Sequence, residues 1–307
     1  MGQIKACTSP SRVFGRSPSF ERQKLLLGAD PARLPEAMER LPIRVLRRVL
    51  PRYHGTGFGR LLFKASNTVA RFIENDNYSF EENGELRIVQ CLAKSGFNSP
   101  IFDVGANIGE YAVLARRYFP DSAIYAFEPV KETYLRLCRE TEGLNIHAFN
   151  FGLGDQDADV PFSVQPHNLT NSSAHGSITR LLNPGAGFYQ EECRIRHSGS
   201  VAAEQGLAQI GLLKVDTEGH DWFVLSGFEE WLRTARIGVI QFEYGMACIS
   251  TKKLLFDYYQ LLSRYNYRIG KIFPTYVDFR SYHPTHENFI GPNFLAVHPS
   301  VDFSVFE

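Results

Sequence analysis

From Ile101 onward, short apolar runs alternate with stretches of helical periodicity, and this alternation limits the fold more than any other feature of the chain. The runs predict strands at residues 101–104, 123–127, 146–151, 210–215, 237–242, 267–273 and 293–297. Helices are expected between them at 111–118, 131–140, 222–233 and 252–264. Parallel strands need right-handed crossovers, which helices supply, so the pattern predicts an α/β fold with a doubly wound, mostly parallel seven-stranded sheet covered on both faces. No helical period separates the last two strands. A loop rich in Tyr, His and Pro joins them, so the final strand is expected to pair antiparallel at one edge. With 44% hydrophobic and 21% charged residues the chain is far from a disordered composition. No apolar run approaches the roughly 18 residues of a membrane span, which excludes integral membrane association.

The remaining sequence divides around this core. Residues 1–30 read as a poorly ordered tail, 31–97 as a helical N-terminal extension, and 98–300 as the sheet domain. An insertion at about 155–208 breaks the rhythm with clusters of Pro, Asn, Ser and Gly, the composition of a functional insertion or lid. Leu34, Met38, Leu41, Val45, Leu46 and Val49 recur at helical spacing with Arg44, Arg47 and Arg48 between them, which makes a basic amphipathic helix. Although the formal charge of the chain is zero, residues 1–75 hold 14 basic and 5 acidic side chains, and the rest is correspondingly acidic. Docking of the basic segment on the acidic remainder is the plainer reading, and a membrane-surface or acceptor-binding role is the other. Nucleic acid is not expected, because charge alone supports it.

Five cysteines at 7, 91, 138, 193 and 248 are odd in number, with no C-x-x-C pair, and suggest neither a disulfide framework nor zinc. The start lacks the apolar core of a secretory signal, and Ala6 stands where a myristoylation site needs Ser or Thr. A cytoplasmic location is therefore expected, and the sequons at Asn168 and Asn171 carry little meaning.

Three motifs carry chemistry. In the first, Asp103-Val104-Gly105-Ala106-Asn107-Ile108-Gly109 turns a strand into a helix. Gly105 permits a tight strand exit and Gly109 the close approach of a ligand or helix. Asn107 replaces the middle glycine that lets a backbone reach a pyrophosphate. Asp103 before the turn repels phosphate and attracts a cationic ligand, which favours S-adenosylmethionine, with its ammonium and sulfonium charges, over NAD. The second motif, Ala126-Phe127-Glu128-Pro129, places a carboxylate 23 residues after Gly105, where it can accept both ribose hydroxyls of an adenosine. In the third, Lys214-Val215-Asp216-Thr217-Glu218-Gly219-His220-Asp221, a buried strand delivers several polar groups to the crevice that Asp103 enters. Asp221 and Glu218 have a second reading as caps of the next helix.

At this spacing the three motifs resemble the FkbM-type methyltransferases over about residues 85–298. The resemblance implies a Rossmann-like domain that uses S-adenosylmethionine to methylate a hydroxyl, often on a sugar, a polyketide or another small metabolite. The family's usual Thr-Leu-Asp element is absent, and residues 196–207 occupy its place.

The cofactor site is thus expected at Asp103, Gly105, Asn107, Gly109, Glu128, Pro129 and Asp216. Candidates for the catalytic base are Glu218, His220 and Glu243, or a metal such as magnesium held by Asp216, with Glu243 ending the next strand beside it. Ser172, Ser173, His175 and Ser177 in the insertion, with His283 and His286 in the last loop, are weaker candidates for the acceptor site. Two other functions fit the fold: an NAD-dependent oxidoreductase, against which the missing G-x-G-x-x-G counts, and a nonenzymatic Rossmann-like binding module.

Overall fold

A computed structural model describes residues 42–165, 180, 184–185, 187–291 and 293–306. The described residues fall into two compact units that divide between Ser66 and Asn67. In the first, helix α1 (Pro42–Val49) runs into a 3₁₀ turn at Leu50–Tyr53 and the start of α2 (Gly57–Ile73). In the second, α3 (Glu85–Lys94) precedes β1 (Ile101–Val104), α4 (Glu110–Tyr118), β2 (Ile124–Phe127), α5 (Lys131–Glu140) and β3 (Ile146–Phe149). Three further strands follow, β4 (Gly152–Gly154), β5 (Ala158–Val164) and β6 (Tyr189–His197), and then α6 (Ser198–Glu204). The chain continues through β7 (Ile210–Val215), α7 (Asp221–Gly227), α8 (Glu229–Arg233), β8 (Ile237–Glu243), α9 (Cys248–Thr251) and α10 (Leu255–Arg264). It closes with β9 (Arg268–Ile272), β10 (Val277–Phe279) and β11 (Asn293–Val297).

Eight of these strands form one sheet in the order β10-β9-β11-β8-β7-β1-β2-β3. Strands β3, β2, β1, β7 and β8 run parallel to one another, as the alternation of strand and helix requires. Side chains alternate across each strand, so Phe102 and Val104 enter the core shared with α6, α7, α8 and α10, while Ile101 enters the core shared with α3, α4 and α5. The sheet is therefore doubly wound.

The structure departs from the sequence reading in three places. An antiparallel strand does form one edge, but it is the extra strand β10, antiparallel to β9, and not the final strand: β11 lies between β8 and β9 and is antiparallel to both. All five residues of β11 are buried, and an unbroken apolar run such as Phe294 to Val297 suits an inner strand covered on both faces. Secondly, α3 belongs to the sheet's unit, with Ile88, Val89 and Leu92 in its core. Thirdly, the insertion is not simply a loop. Its described residues form β5 and β6, which with β4 make a separate three-stranded sheet closed by Phe162, Val164, Cys193 and Ile195. Ser172, Ser173, His175 and Ser177 lie outside the described residues, as do Asn168, Asn171 and everything before Pro42.

Candidate active site

The parallel strands β2, β1 and β7 end side by side, and strand order reverses between β1 and β7, the position at which doubly wound sheets open a crevice. Gly105 leaves β1 with φ +82°, and a Cβ there would collide with the backbone carbonyl of Asp216. Its lack of a side chain thus serves the closeness of the two strand ends. Asn107 also takes a left-handed conformation, at φ 49°. Gly109, at φ +95°, starts α4, and a Cβ on it would lie 2.8 Å from Cδ1 of Leu137 on α5, so its requirement is helix packing.

Asp103 is wholly buried, and neither of its carboxylate oxygens has a side-chain hydrogen-bond partner; the backbone N–H of Ala112 favours its charged form. Burial pushes its carboxyl up to about 6, against the pull of Lys214. Lys214 faces it in register on β7 and reaches 2.9 Å to Oδ2 of Asp216, with its ammonium 5.1 Å from the centre of the Tyr111 ring. Burial opposes the charge on Lys214, but the carboxylates of Asp216, Glu85 and Asp103 outweigh it and raise the pKa above the usual lysine range.

Glu85, at the start of α3, completes this buried polar group. It accepts hydrogen bonds from Asn83 (2.7 Å), Gln241 (2.6 Å) and Asn293 (2.8 Å), and burial raises its carboxyl. The segment before α3 is pinned to β9, because Asn75 donates to the carbonyls of Asn83 and Ile272 while Lys271 pairs with Glu74 at 2.9 Å. Tyr78 and Phe80 are thereby brought to the cavity wall.

Glu128 follows β2. Its Oε1 accepts from the backbone N–H of Val130 at 2.9 Å and its Oε2 from that of Asn107 at 3.1 Å. Burial lifts its carboxyl to about 7, although both N–H groups favour the charged form. Each oxygen retains capacity for a second donor, such as a ligand hydroxyl.

The loop after β7 is held by Asp221. This fully buried carboxylate accepts from Thr217 N (3.2 Å), Thr217 Oγ1 (2.8 Å) and Glu243 N (3.1 Å), which ties the loop to the end of β8. Burial, then Asp216, pushes Asp221 up to about 7. Glu218 adopts φ 53°, and burial followed by the charges of Asp216 and Asp221 pushes it up to about 8. Glu243 is raised well above the carboxylate range by burial and then by Asp216, Glu218 and Asp221. His220 stacks on Phe223 with ring centroids 4.8 Å apart.

Two adjoining cavities open at these strand ends. The larger, about 850 Å³, is lined by Asp103, Lys214, Asp216, Glu218, Tyr78 and Glu85, among others. The smaller, about 50 Å³, is lined by Glu128, Pro129 and His220, with Phe162 and Ile195 from the second sheet. Gly105, Asn107, Asp216 and Glu218 line both. Of the expected site residues, only Glu243 lines neither; it lies behind the loop that Asp221 organises. His283 and His286 also lie away from both cavities, and His283 instead bonds Thr285 at 2.8 Å. Among the described residues, no group of three or more His, Cys, Asp or Glu is placed to hold a metal ion.

The sequence alone assigns no role to Lys214, Glu85, Gln241 or Tyr111. A signal was present: Ile-Phe-Asp-Val, Leu-Leu-Lys-Val and Val-Ile-Gln-Phe each place one polar residue in an otherwise apolar strand, and register aligns Asp103 with Lys214 and Lys214 with Gln241.

A doubly wound sheet with a glycine turn at its switch point, and acids ending β1, β2 and β7, places the chain in the Rossmann-like α/β class. Within that class it belongs to the FkbM methyltransferase family: the model of the methyltransferase FkbM domain matches residues 103–269, more than half of the chain. The chain is 31% identical over 163 residues to Methyltransferase 1 of Beauveria bassiana, an alignment covering 48% of this chain and 66% of that one. It is 25% identical over 179 residues to the hexuronic acid methyltransferase AglP of Haloferax volcanii, covering 56% and 68%. With the 31-O-demethyl-FK506 methyltransferase FkbM of Streptomyces tacrolimicus it shares 26% over 170 residues, covering 45% and 63%. The chain thus spans about two thirds of the length of these relatives. The solved structure of methyltransferase FkbM from Methylobacillus flagellatus KT aligns with a TM-score of 0.41 at 14% identity, over 65% of this chain and 43% of that one.

Proposed function

We propose that the protein is an S-adenosylmethionine-dependent O-methyltransferase that methylates a hydroxyl of a small molecule, such as a sugar, a polyketide or another secondary metabolite. One observation carries the reading: Asp103 is buried, has no side-chain donor to its carboxylate and lies one strand from Glu128, with the left-handed glycine turn between them. These residues fit the cofactor. Asp103 suits its positive charge, and Glu128, fixed by two backbone N–H groups, suits the ribose hydroxyls. When bound, the cofactor supplies a methyl group activated by a positively charged sulfur.

The residues of this chain have the remaining tasks of aligning the acceptor oxygen and removing its proton. Glu218 is the base in this reading. It lines both cavities, and a carboxyl raised to about 8 retains a proton more readily than an ordinary glutamate. The Lys214–Asp216 pair holds the strand end beneath it. His220 lies on the Glu128 side and shapes the cofactor wall, and Glu243 positions the loop from behind. The described part of the second sheet also lines the Glu128 side. The acceptor is therefore placed in the larger cavity, against Tyr78 and Phe80, rather than against the insertion.

Two relatives named for a hexuronic acid and for 31-O-demethyl-FK506 support a hydroxylated small molecule as acceptor. The test is incubation with S-adenosylmethionine and a panel of hydroxylated sugars and polyketides, with mass spectrometry of the products. The reading expects a gain of one methyl group on oxygen. Methylation confined to nitrogen or carbon acceptors would overturn it.

A further inference from the structure

Helix α2 contradicts the usual economy of a soluble fold. Its 17 residues include no buried side chain. Phe58 is 57% exposed, Leu61 67%, Val69 57%, Phe72 74% and Ile73 69%, in a molecule whose sheet core buries most of its large apolar groups. These side chains are not scattered. At 3.6 residues per turn, Phe58, Leu61, Leu62, Val69, Phe72 and Ile73 fall on one stripe, and Arg60, Lys64, Asn67 and Arg71 fall opposite. Between Pro42 and Ile73 there are seven Arg and Lys and no Asp or Glu. No helix among the described residues is long and apolar enough to cross a membrane.

We infer that α2 is an interfacial helix that seats the protein on an anionic lipid surface, with its apolar stripe in the acyl boundary and its bases among the headgroups. The charge pattern selects this occupant. A second copy of the helix would cover the apolar stripe but bring no anions to the opposite face, where the three bases Arg60, Lys64 and Arg71 lie. Residues 1–41 hold seven bases and four acids, so they offer no anionic complement. A polyanion without an apolar phase would satisfy the bases but leave Phe58, Leu61 and Phe72 in water. An anionic bilayer provides both phases at once, and a helix with a wide apolar stripe and a basic opposite face lies in such an interface without spanning it. The helix is about 25 Å long at 1.5 Å per residue, enough to lie along the surface as an anchor.

The test is co-flotation of the full chain with vesicles of phosphatidylcholine alone and of phosphatidylcholine mixed with phosphatidylserine. The expected result is partition onto the mixed vesicles, weak or absent partition onto the neutral ones, and weakening in high salt. Phe58→Ser with Phe72→Ser removes two exposed side chains, so circular dichroism of the sheet domain should be unchanged, while partition falls on the order of tenfold or more. Arg60→Glu with Lys64→Glu should reduce partition onto the mixed vesicles by a similar factor. The inference is overturned if the chain ignores the mixed vesicles, if the serine variant binds them as well as the parent does, or if sedimentation shows a dimer that the serine variant dissociates while vesicles remain unbound. Transfer of a methyl group plays no part in these readouts, so their outcome is independent of the proposed reaction.

Discussion

The ends of β2 and β7 each place a glutamate beside the same glycine turn, yet the two carboxylates are built for different work. Glu128 is held by two backbone N–H groups and rises to about 7. Glu218 sits in a left-handed conformation among Asp216 and Asp221 and rises to about 8. Donors around a carboxylate fix it and favour its charged form against burial, which suits recognition of hydroxyls. Like charges around a carboxylate favour its uptake of a proton, which suits a base. Burial alone therefore does not assign a role to a carboxylate; its neighbours do.

The largest effect should come from disturbing the turn that serves both ends. Gly105→Val forces a β-branched residue into φ +82° and drives its Cβ into the Asp216 carbonyl. We expect it to abolish cofactor binding in calorimetry and to lower stability by about 3 to 5 kcal/mol in denaturant unfolding. Retained binding would show that the strand ends need not lie so close.

Separating the two glutamates comes next. Glu218→Gln should lower kcat by roughly 10²- to 10⁴-fold, the scale of losing a general base, while the cofactor Kd stays nearly constant. Glu128→Ala should weaken cofactor binding by about 1.5 to 3 kcal/mol, the scale of lost charge-assisted hydrogen bonds. If the two variants exchanged these phenotypes, the assignment of binder and base would be reversed.

The smallest effects are in pH dependence, and their signs differ between binding and stability. Burial raises the folded-state pKa of Glu128 from 4.5 to about 7, so its contribution to stability is fully present below 4.5 and is lost as pH rises through 7. The unliganded protein should therefore become less stable in thermal unfolding over that window. Binding should go the other way. Asp103, raised to about 6, must ionise to attract a cation, so affinity for S-adenosylmethionine should strengthen as pH rises through 6, with less change for the uncharged-sulfur product analogue S-adenosylhomocysteine. A flat affinity profile would remove Asp103 from charge recognition.

The parts of this arrangement that follow local rules were legible in the sequence. Apolar runs bounded by helical periods located β1, β7 and β11 to the residue, and glycines after β1 marked the turn. Long-range pairing was less legible. Nothing local places β11 between β8 and β9, although its four consecutive apolar residues carried a hint of burial on both faces. Strands β5 and β6 escaped because charged residues fill their open face and Pro161 interrupts the first, while Phe162, Val164, Cys193 and Ile195 supply only a short alternation. The buried contacts of Glu85 with Gln241 and Asn293 join residues more than 150 positions apart, and only the folded sheet brings them together.

The proposed reaction requires the crevice between β1 and β7 to bind S-adenosylmethionine through Asp103 and Glu128. Parallel calorimetric titrations of the full chain with S-adenosylhomocysteine and with NAD test it most directly. One-to-one binding of S-adenosylhomocysteine that Glu128→Ala weakens is expected, with no heat from NAD. Binding of NAD in its place, or S-adenosylhomocysteine binding unchanged in Glu128→Ala, would contradict it.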